Sequence, residues 1–89
     1  MLKISKAPGA EPSVTLKLEG RVVGLWVGEL HRTCEPVLGE GGTLYLDLED
    51  VSFVDKEGVI ELTRLKSRGA AVMRCSPFVT EQLKSGTPG

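Results

Sequence analysis

The chain has 89 residues, enough for one small domain and no more. Eleven Lys and Arg stand against twelve Asp and Glu, and the resulting net charge of −1 excludes the basic footprint of a nucleic-acid binder. Aromatic residues at 4% leave few stacking platforms for single strands, and no apolar run approaches the ~20 residues that span a bilayer, so direct membrane insertion is not expected.

The first residues, Met1-Leu2-Lys3-Ile4-Ser5-Lys6, lack the continuous apolar segment of a signal peptide, and a cytoplasmic protein is expected. Leu2 and Ile4 alternate with Lys3 and Ser5, which predicts a short first strand. Pro8-Gly9 and Pro12 then predict a turn over residues 7–12. Val14, Leu16 and Leu18 alternate with Thr15, Lys17 and Glu19, the period of a half-buried strand. That run is expected to end at Gly20, with Val22-Val23 continuing it after a bulge or bend.

From Val27 the period lengthens. Val27, Leu30, Cys34, Val37 and Leu38 recur at three- and four-residue steps and mark the apolar face of a helix, with Glu29, Arg32 and Glu35 away from it. Pro36 predicts a kink or an irregular last turn, and Gly39 with Gly41-Gly42 a stop. Trp26, just ahead of this helix, reads as a core or staple residue, and His31 as a solvated helix residue. Thr43–Leu48 is the clearest strand, Glu49-Asp50 a solvated turn, and Val51-Ser52-Phe53-Val54 an apolar approach to Asp55. A second helix follows over about 56–68, with Gly58, Leu62, Leu65 and Gly69 on one face and Glu61, Arg64 and Arg68 elsewhere. Ala70–Met73 reads as a short buried strand. Ser76-Pro77 opens a last helix that buries Phe78, Val79 and Leu83, and residues 85–89 read as a disordered tail after a domain spanning 1–84. The order β-β-α-β-α-β-α predicts an α/β sheet with helices packed on it and parallel strands joined by right-handed crossovers.

Cys34 and Cys75 lie far apart without metal-ligand spacing and read as reduced core thiols, a disulfide being the less favoured alternative. The one concentration of potential chemistry is acidic: Asp47, Glu49, Asp50, Asp55 and Glu57, past the third strand and at the start of the second helix, where open α/β sheets place their sites. A plain account covers part of it, because Asp55 suits an N-cap and Glu57 complements the positive end of the helix. The residue types permit magnesium, yet no nucleophile stands beside a base, and the chain is short for a phosphoaspartate receiver. Gly39-Glu40-Gly41-Gly42 lacks the phosphate-loop pattern and follows a helix instead of a strand. Binding is therefore expected, not catalysis, with no cofactor and no metal.

The stretch from Leu46 to Gly58 resembles the signature of STAS domains (the sulfate-transporter and anti-sigma-factor-antagonist fold). Asp50-Val51-Ser52-Phe53-Val54-Asp55 is similar to that family's D-[LV]-[ST]-F-[MVI]-D segment, and Asp55-Lys56-Glu57-Gly58 stands where it typically has D-S-[ST]-G. Leu18-Glu19-Gly20 resembles its L-x-G strand end, and Cys75-Ser76-Pro77-Phe78-Val79 its x-S-P-x-V helix entry. The resemblance covers roughly residues 14 to 84. It implies a four- to five-stranded mixed sheet with flanking helices and a bacterial signalling domain in transcription regulation. The implied partner is a kinase-like anti-sigma factor, released when the second hydroxyl of D-S-[ST]-G is phosphorylated. Alternatives within the family are a scaffold or small subunit of an ABC-type or anion transporter, or a weak nucleotide-binding module. Oligomeric state is left open, a dimer included.

The chain departs from the family pattern at the modified position. Lys56 and Glu57 replace both hydroxyl residues, and Glu57 occupies the phosphoacceptor position, where no phosphate ester can form. Glutamate supplies one fixed negative charge there, a partial mimic of the phosphorylated form. The expected partner surface is Phe53, Asp55, Lys56, Glu57, Gly58 and Glu61.

Overall fold

The strand Thr43–Val54 (β3) is the centre of the molecule, with Leu44, Leu46, Leu48, Val51 and Val54 all buried along it. The computed structural model describes residues 2–7 and 13–85. In chain order the other elements are β1 (Leu2–Ala7), β2 (Ser13–Val22), α1 (Leu25–Gly39), α2 (Lys56–Ser67), β4 (Ala71–Met73) and α3 (Pro77–Ser85). The sheet has the order β1-β2-β3-β4, with β1 antiparallel to β2 and the other neighbours parallel. This is the mixed four-stranded α/β sheet that the element order implies. Residues 8–12 and 86–89, on which most of the turn and the tail were expected, lie outside the described residues. Ala7 belongs to β1, and Ser85 to α3.

Two crossovers, β2-α1-β3 and β3-α2-β4, each step to the next strand in the same direction. Right-handed connections of that kind place both helices on one face of the sheet. There Leu30 and Cys34 of α1, Leu62 and Leu65 of α2, and Val79 of α3 meet Leu16, Leu18, Leu44, Leu46 and Leu48, all buried. Among the described residues no helix is long and apolar enough to cross a membrane.

Several local expectations are corrected by these elements. Glu49-Asp50 is no turn: both residues lie within β3. Lys17 pairs with Asp47 and Glu19 with Asp50, so β3 spends three residues where β2 spends two; Gly20–Val51 and Arg21–Phe53 repeat the slip. Each is a bulge, which lets polar residues face outward without ending the strand. β2 runs on past Gly20 to Val22 through the expected bulge, with the Gly20 φ of 106° absorbing the bend. α1 keeps Pro36 inside it and ends at Gly39, and the expected glycine stop is made by Gly41 (φ 77°) and Gly42. Gly41 N donates to Leu38 O and Gly42 N to Val37 O, the paired bonds of a Schellman ending. β4 is an edge strand, with Ala71 exposed and Val72 and Met73 half-buried. Trp26 lies inside the first turn of α1 and is partly exposed, and Phe78 is exposed although Val79 beside it is buried. Both cysteines are free, Cys34 fully buried and Cys75 half-buried.

The sheet face away from the helices is laced by ion pairs. Lys17 Nζ lies 3.1 Å from Asp50 and Lys3 Nζ 3.9 Å from Glu19. Arg74 (φ 57°), just past β4, reaches back to Asp47 and lies 3.5 Å from Glu49. Asp47 is only 3% exposed, and its Oδ1 also accepts the Glu49 amide at 3.0 Å. The Arg74 guanidinium, outweighing burial, holds the Asp47 carboxyl below the usual carboxylate range. Such a group adds stability above that range and loses it as pH falls through its lowered value. Asp47→Asn keeps the shape and removes the charge. It is expected to lower the melting temperature at pH 7, and the gap to wild type should close below about pH 3.9, the ordinary aspartate value. Thermal denaturation across that window checks it.

Candidate functional site

Asp55 ends β3 and begins α2, and its carboxylate is used twice. One oxygen accepts the Gly58 amide at 2.7 Å, as an N-cap should. The other accepts the Gly24 amide at 2.9 Å, across 31 residues of sequence. Gly24 is the N-cap of α1, with φ 54°, and has no capping side chain of its own. Asp55 N also donates to Val22 O at 3.1 Å. One carboxylate thus ties the β2-α1 junction to the β3-α2 junction at the carboxyl ends of the two central strands. The capping role is legible in the sequence; the bond to Gly24 is not, because nothing local marks it.

Gly58 shows how closely α2 sits on β2. A Cβ built there would lie 2.5 Å from Val22 O and 2.7 Å from a Val54 methyl. The small residue is demanded by backbone approach, and Gly58 is buried. Glu61 is buried as well, 8% exposed, and is held by Arg64 at 2.7 Å with His31 at 3.2 Å. Both therefore lie beneath the surface that the other expected residues form. Glu61 faces α1 because it lies one turn beyond Gly58, on the flank where the two helices meet. His31 is half-exposed, and besides solvent it meets Glu61 and Arg64.

The remaining expected residues do reach the surface. Lys56 and Glu57 are exposed in the first turn of α2, and Phe53 is 38% exposed just ahead of it. The sequence reading missed four exposed apolar side chains near these helix starts: Ile60 (52%), Phe78, Leu25 and Trp26. The Phe53 and Phe78 rings lie 6.4 Å apart at 30°, within the range of favourable aromatic pairs. Ile60 carried a signal, being apolar yet outside the Gly58-Leu62-Leu65 stripe. Behind the rings, Gln82 of α3 clamps Val54: its carbonyl accepts Val54 N at 2.9 Å and its amide donates to Val54 O at 2.8 Å. That reproduces what a neighbouring strand would supply where β4 is too short to reach. Leu25 and Trp26, with Val23, Glu29 and Arg32, border an open groove of about 770 Å³ at the start of α1.

The acidic residues do not form one centre. Asp47 and Glu49 face Arg74, Asp50 faces Lys17, and Asp55 is engaged by two amides. Among the described residues no group of three or more His, Cys, Asp or Glu is arranged to hold a metal ion.

Because a methyl at position 58 has no room, Gly58→Ala is expected to cost about 1–3 kcal/mol, the range for overpacking a tight contact. Urea denaturation checks it; an unchanged midpoint would mean that α2 shifts freely on β2.

No family model matches the sequence, and no curated protein matches it. Among solved structures, the fold is similar to that of the anti-sigma factor antagonist SpoIIAA in its unphosphorylated form, with a TM-score of 0.75 over 92% of this chain and 82% of that chain. Sequence identity is 17%, so the likeness is one of fold, and it bears out the STAS-like α/β architecture.

Proposed function

We propose that the chain is a STAS-like regulatory domain that acts by binding a protein partner, without catalysis, through the surface at the start of α2. The observation that carries this reading is the exposure of Ile60, Phe53 and Phe78 around a helix start that is rigidly capped. Large apolar side chains held on a firm frame are what interface cores are built from. Lys56 and Glu57 supply a polar rim with one charge of each sign. The fold shared with an anti-sigma factor antagonist supports a partner of the anti-sigma or kinase-like class.

In this reading the surface is not regulated by phosphorylation at its centre, since Glu57 has no hydroxyl. The domain is constitutive, held by a fixed carboxylate in one binding state. Glu57 lies exposed in the first turn of α2, where its charge faces the positive end of the helix and also any docked partner.

Affinity capture from the source cell, comparing wild type with Ile60→Asp and Glu57→Lys, tests the surface. Both positions are exposed, so circular dichroism should be unchanged. The partner held by wild type should bind each variant about tenfold more weakly or worse, which is about 1.4 kcal/mol. Equal capture by all three proteins would place the interface elsewhere.

A further inference from the structure

Helices α1 and α2 meet along a seam of charged side chains that the docking surface does not use. On α2, Arg64 Nε donates to Glu61 Oε1 at 3.2 Å and Arg64 Nη2 to Glu61 Oε2 at 2.7 Å. The same Nη2 lies 2.7 Å from His31 Nδ1 and 3.3 Å from Glu35 Oε2, both on α1. Arg68, at the end of α2, pairs with the same Glu35. His31 Nδ1 is also 3.2 Å from Glu61 Oε2.

Count the hydrogens at Arg64 Nη2. It has two, and three acceptors surround it when the imidazole is neutral. The short distance from Nδ1 to a guanidinium nitrogen, which can only donate, requires that Nδ1 carry a lone pair. His31 is then neutral with its proton on Nε2. Adding a proton to Nδ1 turns that acceptor into a donor. Among the described residues the acceptor beside it is Glu61 Oε2, and the two Nη2 hydrogens are left for Glu61 and Glu35. Nδ1–H and both Nη2 hydrogens are matched in that second arrangement, but Arg64 must withdraw from the imidazolium.

We infer that the α1–α2 seam is a proton-operated changeover, in which neutral His31 accepts from Arg64 and protonated His31 donates to Glu61 while Arg64 turns toward Glu35. The charges facing His31 are Glu61, Arg64 and, one step away, Glu35 and Arg68, two of each sign. Cys34 adjoins the seam without adding charge, since burial and then the Glu61 carboxylate push its thiol up to about 12. Protonation therefore takes a balanced seam to a net charge of +1. Histidine is the side chain suited to change charge between about pH 5 and 8. The changeover concerns the seam alone and does not depend on what docks at the helix starts.

His31 is the only histidine in the chain, which makes the test direct. Long-range proton–nitrogen correlation on the ¹⁵N-labelled full-length protein reads its tautomer and its titration. In the neutral imidazole, Nδ1 should be the unprotonated nitrogen. As the imidazole titrates, the Arg64 Nε–H signal and the amides of residues 61 and 64 should move together with it. In His31→Gln those movements should vanish. A wild-type imidazole with its proton on Nδ1 at high pH overturns the inference. So do Arg64 signals that stay fixed while His31 titrates.

Discussion

Two amides, one at the start of each long helix, converge on the Asp55 carboxylate, and the geometry of the candidate surface depends on that convergence. A helix start leaves unsatisfied N–H groups, and α1 begins at Gly24, which brings no side chain to satisfy them. Asp55 supplies the missing acceptor from the other junction while capping its own helix. Hydrogen bonds to an ionised group are the stronger kind, each contributing about 1.5–3 kcal/mol. Because Asp55 N also donates to Val22 O, the ends of β2 and β3 and the starts of α1 and α2 form one block. Gly58 completes it by letting α2 rest directly on the backbone of β2.

On this block the exposed residues divide by origin. Lys56, Glu57 and Ile60 belong to α2, Phe53 to the end of β3, and Phe78 to α3, held in place through the Gln82 clamp. Leu25 and Trp26 come from the first turn of α1, next to Gly24. A partner that touches the start of α2 meets side chains whose backbones are fixed by buried contacts, so little ordering entropy is lost on binding. Glu57 adds one fixed negative charge to that surface.

Element order, the helix limits of α2 and the Ser76-Pro77 helix entry were legible in the sequence because each rests on local chemistry: period, capping residue, proline at a first turn. The parallel pairing of β2, β3 and β4 followed from the helices between them. What was not legible depended on contacts across the chain. Glu49-Asp50 has the composition of a turn, and only pairing with Lys17 and Glu19 of β2 shows it to be a bulge. His31 looked solvated and Glu61 open to a partner, and the contact between them across the two helices was not visible locally. Ile60 and Phe78 were visible as apolar residues, but their exposure is decided by where Val59, Leu62 and Val79 point. Of the expected partner residues, Phe53, Lys56 and Glu57 reach the surface, while Gly58 and Glu61 hold the frame beneath it.

Amide hydrogen exchange at Gly24 and Gly58, in wild type and in Asp55→Ala, tests most directly whether one carboxylate holds both helix starts. The account predicts that both amides exchange about tenfold faster or more in the variant, a change of about 1.4 kcal/mol or more in local opening, while the Leu46 amide follows global stability alone. If Gly58 responds and Gly24 does not, Asp55 is an ordinary cap of α2, and the claim that it assembles the surface from both junctions is contradicted.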